Sequence, residues 1–317
     1  MKIYLTGGSG LVGCNFIRVA TERYGARVFA TLNAWRPTGP VQFEYGLVDL
    51  FNPEEVLRSV RAFQPDAIVH CAILKGLSNL YSQRRLAWQS YVEVTRHLAE
   101  AAKAVEAKML LISTDWVFDG TQGPADEATP PNPINYYGVL KLACETLLSS
   151  TVQDWAVARI SGVCGVHWCR PELALRQNAG FGNLAKHAVD TLREGRPFDV
   201  WDGEVNALGT PTLATDAAEM ILKIIRLNRK GVFHCCCGES TTRMELAVAA
   251  AKVFGLDPDL IRLSRMDHRA KRDLQGISIP RDSRLSASNS GSQLEHSLMT
   301  LDQALRAFRQ QLETGQI

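Results

Sequence analysis

Tyr137 and Lys141, in the stretch "PINYYGVLKLACE", stand four residues apart, which on a helix puts both side chains on one face. Tyr136 is five residues from the lysine and points elsewhere. An ammonium beside a phenol stabilises the phenolate, so Lys141 is expected to draw the Tyr137 pKa down from about 10. A phenol tuned in this way can pass a proton to or from the oxygen of a carbonyl or alcohol. No other Y-x-x-x-K occurs in the sequence.

Two further stretches could serve such a step. "LISTDWVFDG" closes an apolar run with Ser113, Thr114 and Asp115, polar groups at the carboxyl end of a strand, where open α/β sheets bind ligands. "YLTGGSGLVG" sets Gly7, Gly8, Gly10 and Gly13 between a strand-like run and a helical one. Bare backbone amides and a helix N-terminus there suit a dinucleotide pyrophosphate. The spacing fits both G-x-G-x-x-G from Gly8 and G-x-x-G-x-x-G from Gly7. An acid about 20 positions further on would hold an NAD ribose, whereas an arginine accommodates a 2′-phosphate. The corresponding "ATLNAWRP" has no acid but offers Asn33 and Arg36, so NADP(H) is favoured over NAD(H).

Elements of a definite kind must hold these residues. "KIYLTG", "ARVFATLN", "DAIVHCA", "KMLLIST" and "WAVARISGV" read as strands. Helices are expected in "GLVGCNFIRVATERYG", "NPEEVLRSVRAFQP", residues 83 to 107 and residues 136 to 150. In the second of these, Asn52 is the expected N-cap and Pro53 opens the first turn. Alternation of this kind predicts an α/β fold, a doubly wound parallel Rossmann sheet built from right-handed crossovers, with a smaller C-terminal substrate lobe. Residues 1–165 plus about 211–237 are assigned to the dinucleotide-binding domain, and 166–210 plus 238–317 to the lobe. "SASNSGSQ" reads as a polar loop.

Bulk properties narrow the partners. At 317 residues, with 35 Lys and Arg against 33 Asp and Glu, the chain supplies no broad charge for nucleic acid or an anionic membrane. The start "MKIYLTGGSG" lacks the features of a signal peptide, and no apolar run reaches the roughly 18 residues of a membrane span. A cytoplasmic protein with reduced cysteines is expected. "CGVHWC" (Cys164, His167, Cys169) and "HCCCG" (His234 to Cys237) lack paired C-x-x-C spacing, so no metal is expected. The second reads as a buried strand with small apolar thiols. A small-molecule substrate is the expected partner, and a homodimer is allowed.

Taken together, "TGGSGLVG", "STDWVFDG" and "YYGVLK" resemble an extended short-chain dehydrogenase/reductase, specifically the dTDP-4-dehydrorhamnose reductase group. "GTPTLATDAAEMI" and "GVFHCCCGESTTRMELA" extend the resemblance over nearly the whole chain. It implies that Gly7, Gly10, Leu11, Val12 and Gly13 form the phosphate-binding turn. Asp49 and Leu50 would lie beside the adenine, and Ala72, Ile73 and Leu74 next to the ribose and nicotinamide. Thr114, Tyr137 and Lys141 match the catalytic triad, the last two also touching cofactor, and Asp115 matches a substrate contact. The implied reaction is reduction at C4 of a nucleotide-linked 4-keto-6-deoxysugar.

Departures from the pattern gather on the substrate side. Tyr91 stands where the family's relay Asn is expected, Gly162 where a Trp packs on the sugar, and Ile279 where an Arg is expected. Loss of the Trp should open space. About 15 residues, "VHWCRPELALRQNAG", are inserted after it, and Trp168, Arg170 or Arg176 could replace the lost contacts. Two other readings of the fold are a cofactor-binding regulatory subunit, like the beta subunit of methionine adenosyltransferase, and a nucleotide-sugar epimerase or dehydratase.

Overall fold

The computed structural model describes residues 1–33, 35–74, 76–201 and 205–317. Seven strands form its main sheet: β1 (Lys2–Thr6), β2 (Arg27–Leu32), β3 (Glu44–Leu47), β4 (Ala67–His70), β5 (Lys108–Thr114), β6 (Trp155–Ile160) and β7 (Gly231–His234). Their order is β7-β6-β5-β4-β1-β2-β3, and every neighbouring pair is parallel. The chain winds outward in both directions from β1 and β4, so a crevice opens beyond their carboxyl ends.

Central strands such as β1 and β5 are apolar on both faces and buried along nearly their whole length, so helices must cover both sides. On one side α1 (Leu11–Arg18) and α6 (Ala214–Arg226) pack Phe16, Ile17, Met220 and Ile224 onto the sheet. On the other, α2 (Pro53–Phe63), α3 (Val94–Ala104) and α4 (Tyr136–Thr151) contribute Val56, Leu98, Leu140 and Leu148. Removing one such buried leucine side chain costs about 2–5 kcal/mol. Asn52 caps α2 as expected, its Oδ1 accepting from the amides of Glu54 (3.1 Å) and Glu55 (3.2 Å).

The lobe packs α5 (Leu184–Arg193), α7 (Arg243–Phe254) and α8 (Leu301–Thr314) around Val189, Leu246, Phe254 and Phe308. Its strands Phe198–Trp201 and Ile261–Ser264 pair in parallel. Val163–Cys164, leaving β6, pairs with Thr212–Leu213, which lead into α6.

Two expectations need correction. The helix expected over 83 to 107 is Arg84–Trp88, a π-helical turn Gln89–Glu93, then α3. π-helical turns are frequent at functional sites, and this one carries Tyr91. "SASNSGSQ" is not a loop throughout, because Ser288–Gln293 is helical. Ser290 is fully buried there, accepting from the His234 amide at 2.8 Å, a tertiary bond that outweighs weak helix propensity.

Candidate active site

The glycine turn leaves β1 at Gly7, whose φ of +74° suits glycine. A Cβ at Gly7 would lie 2.7 Å from the Ala72 amide nitrogen, and one at Gly13 would lie 2.3 Å from the Gly7 carbonyl oxygen. These contacts press the turn against the end of β4 and α1 against the turn. No side chain caps α1 at Gly10, so the amides of Leu11, Val12 and Gly13 stand at an uncapped helix mouth. Such a mouth fits a pyrophosphate by charge as well as by space.

The other residues that the sequence suggested for a cofactor follow neighbouring strands. Asn33 and Arg36 lie beyond β2, both exposed; Arg36 Nη1 donates to the carbonyls of Asn33 and Trp35, the latter at 2.7 Å. Beyond β3, Asp49 accepts from the Phe51 amide at 2.9 Å, and the Leu50 carbonyl is 3.0 Å from His97 Nδ1. After β4 the Ala72 amide donates to Thr6 Oγ1 at 3.2 Å, and that hydroxyl is 2.7 Å from His70 Nδ1. Burial, helped by the charge of Lys141, lowers the His70 pKa to about 3, so its imidazole is neutral. Ile73 and Leu74 face the cleft.

α4 delivers the phenol and the amine. Asn135 caps it, Oδ1 accepting from the Gly138 amide at 2.9 Å. A Cβ at Gly138 would lie 2.1 Å from the Trp116 carbonyl oxygen, so only glycine lets the helix approach the Asp115–Val117 turn this closely. Tyr137 then stands between the edges of Tyr91 and Trp116, with ring centroids at 6.1 and 5.9 Å. Lys141 Nζ donates to the Ile112 carbonyl at 2.7 Å and sits 5.5 Å from the centre of the Tyr91 ring. Tyr136 faces away, its hydroxyl donating to the Arg84 carbonyl at 3.2 Å.

The expected depression of the Tyr137 pKa is not found. Burial raises it well above 10, and a hydrogen bond with Thr114 opposes the shift only partly. Lys141 is itself buried, which lowers its own pKa. The phenol is therefore held as the protonated donor, the form that a reduction consumes.

Beside it, Thr114 Oγ1 donates to Asp115 Oδ1 at 2.8 Å, and Ser161 Oγ donates to Asp115 Oδ2, also at 2.8 Å. Burial raises the Asp115 pKa, while hydrogen bonds from Ser283, Ser161 and Thr114 oppose the rise. Ser113 does not reach the cleft: its hydroxyl donates to Glu145, which forms a buried ion pair with Arg159 at 2.7 Å.

Above this floor is a cavity of about 1310 Å³, lined by Thr114, Tyr137, Gly162, Arg176 and Lys186 among others. The space expected at Gly162 is already taken: a Cβ there would lie 2.6 Å from Cβ of Phe181, the residue following the insertion. Trp168 does not line this cavity. Its Nε1 donates to Asn15 Oδ1 at 2.8 Å and Arg18 stacks on its ring at 4.0 Å, so α1 captures it. Arg170 likewise turns away, donating to the Ser9 carbonyl at 3.3 Å. Of the three insertion residues singled out, Arg176 alone lines the cavity. Tyr91 donates to the Leu74 carbonyl at 3.1 Å, and Ile279 packs with the cluster around Trp116 and Trp201.

Ser161, Ser283, Trp116 and Phe181 escaped the sequence reading. Ser161 alone had a local signal, being the first residue past β6 at the sheet's carboxyl edge; Ser283 comes from 168 positions after Asp115 by tertiary folding.

Tyr137 lines the crevice at the sheet's carboxyl edge, with Lys141 buried one turn further along α4, and the uncapped glycine turn leaves β1 at the same edge. That arrangement defines a nicotinamide-dependent oxidoreductase of the extended short-chain dehydrogenase/reductase kind. Within it, the model of the RmlD substrate binding domain matches residues 1–314, and the chain belongs to that family.

Three similar proteins bracket it. "Methionine adenosyltransferase 2 subunit beta" of Mus musculus is 29% identical over 266 residues, 82% of this chain and 74% of that one. "dTDP-4-keto-6-deoxy-D-glucose reductase" of Streptomyces niveus is 28% identical over 231 residues, 72% of this chain and 74% of that one. The crystal structure of a hypothetical dTDP-4-dehydrorhamnose reductase from Sulfolobus tokodaii superposes with a TM-score of 0.75. It is 27% identical and covers 95% of this chain and 98% of its own.

Proposed function

We propose that the protein reduces a keto group of a nucleotide-linked sugar, with C4 of a 4-keto-6-deoxysugar as the preferred target and NADP(H) as the preferred cofactor. The observation that carries this reading is the buried Tyr137, hydrogen-bonded with Thr114 on the floor of the large cavity. Likeness to the Streptomyces niveus reductase supports the sugar class. Absence of any acid between Thr31 and Phe43, with Arg36 beyond β2, supports the cofactor choice.

Gly7, Gly10, Leu11, Val12 and Gly13 would hold the pyrophosphate, Asn33 and Arg36 the 2′-phosphate end, Asp49 and Leu50 the adenine, and Ala72 to Leu74 the nicotinamide end. When bound, the cofactor supplies a hydride. Thr114 moves its hydrogen bond from Asp115 to the substrate's keto oxygen. Tyr137 gives its proton to the oxygen as negative charge develops there, and the Lys141 ammonium offsets the charge left on the phenolate. Arg176, which carries no ion pair among the described residues, would meet the substrate's phosphates from the cavity wall.

A second reading, a cofactor-binding regulatory subunit without turnover, is supported by likeness to the Mus musculus beta subunit. One experiment separates the two: NADPH absorbance is followed against a panel of nucleotide-linked 4-keto-6-deoxysugars, with NADH in parallel. A substrate-dependent fall, faster with NADPH, is expected. Tight NADPH binding with no fall across the panel would favour the regulatory reading instead.

A further inference from the structure

We propose that Cys14 and Cys169 are an oxidant-sensitive thiol pair whose disulfide ties the 166–180 insertion to α1, directly behind the glycine turn. Cys14 lies on α1, with its Sγ 3.9 Å from His167 Nδ1. Cys169 Sγ lies 3.8 Å from the Gly8 carbonyl oxygen, and the two thiols are hydrogen-bonded to each other. His167 Nε2 is buried without a hydrogen-bond partner among the described residues, so the imidazole is otherwise committed only toward Cys14.

Reactivity singles out Cys14, with Cys169 as the partner that attacks only after Cys14 is oxidised: its hydrogen bond to Cys14, then burial, holds the Cys169 thiol far above its ordinary value until then. Burial pushes the Cys14 thiol up, but hydrogen bonds from Cys169 and His167 together bring it well below its ordinary value. Burial raises Cys71 and Cys164 to about 12 and also raises Cys144, Cys235, Cys236 and Cys237, which makes them poor nucleophiles. A second cavity, of about 650 Å³, is lined by both Cys14 and Cys169 together with Trp35, Phe43 and Trp168, giving a small oxidant a route to the sulfurs.

The oxidant class is a peroxide. The Cys14 thiolate attacks one peroxide oxygen; the O–O bond breaks, the far oxygen leaves as water after taking a proton, and Cys14 becomes a sulfenic acid. Cys169 sulfur then attacks Cys14 sulfur, forming the S–S bond, while the S–O bond breaks and the hydroxyl leaves as water with the Cys169 proton. Two thiols lose two electrons and the peroxide gains them. The insertion continues from Pro171 to Gly180 along the wall of the catalytic cavity, so fixing Cys169 also restrains that wall.

The test treats the full chain with hydrogen peroxide, alkylates remaining thiols and maps peptides without reduction. The expected product is a link between the Cys14 peptide and the peptide holding Cys164 and Cys169, with fragmentation assigning it to Cys169. Dithiothreitol reverses the link, and amide exchange across 166–180 is slower in the oxidised form. Cys14→Ser and Cys169→Ser, each checked for native circular dichroism, both abolish the link; Cys169, partly exposed on the insertion, is the safer of the two for folding. Cys14 still free after peroxide, a link through another cysteine, or unchanged exchange in the linked protein would each overturn the proposal.

Discussion

The floor of the cleft and its outer wall are built on different terms. Tyr137, Lys141 and Thr114 stand on a helix and a strand whose backbones are fixed by close contact, such as Gly138 against the Trp116 carbonyl. The wall comes from an insertion held by scattered side-chain bonds, among them Trp168 to Asn15 and Arg170 to Ser9. A rigid floor preserves one proton-transfer geometry, while a wall of loop residues can change its ligand without disturbing it. Damage to the floor should therefore appear in stability or turnover, and damage to the wall mainly in KM.

The largest effect is expected at Glu145, which pairs with Arg159 in the interior and accepts from Ser113 beneath Thr114. Glu145→Ala strands a buried guanidinium and should cost about 3–5 kcal/mol of unfolding free energy, read from urea denaturation. A loss under about 1 kcal/mol would mean that water reaches the pair and the floor is not closed.

On the wall, Arg176→Ala should raise the KM for a nucleotide sugar about tenfold with kcat nearly unchanged, as loss of one charge-assisted contact made equally in ground and transition states. A fall in kcat of the same size would place Arg176 in the chemistry and dissolve the distinction between the two regions.

The pH profile sharpens the floor's electrostatics. Burial raises the Tyr137 pKa and lowers that of Lys141, so the amine loses its charge before the phenol does as pH rises. The alkaline limb of kcat for reduction should follow Lys141, and Lys141→Arg, whose charge persists, should move that limb upward. An unmoved limb would assign it to another group.

The smallest effect is expected at Trp168. Trp168→Ala should change KM by less than about twofold, because its indole packs on α1 rather than in the cavity.

How much of this was legible follows the same division. The parallel sheet, the Asn52 cap and the glycine turn could be read because local periodicity and glycine spacing encode them directly. That Tyr137 and Lys141 share one helix was readable from their spacing, but the direction of the Tyr137 shift was not, since it depends on how completely Trp116 and Tyr91 enclose the ring. Phe181 filling the space at Gly162, and Ser283 reaching Asp115, are contacts between distant segments that no local pattern carries. Trp168 misled for a related reason: an aromatic residue on a long loop looks like a ligand contact until its hydrogen-bond partner, Asn15, is known.

Proton delivery by Tyr137 is the central claim, and Tyr137→Phe tests it most directly, with NADPH oxidation followed in a single turnover on a 4-keto sugar that the wild-type chain reduces. Removing one hydroxyl should leave the melting temperature and NADPH affinity close to wild type and slow the step by about 10²–10⁴-fold, the usual worth of a positioned general acid. Oxidation at the wild-type rate would contradict the account.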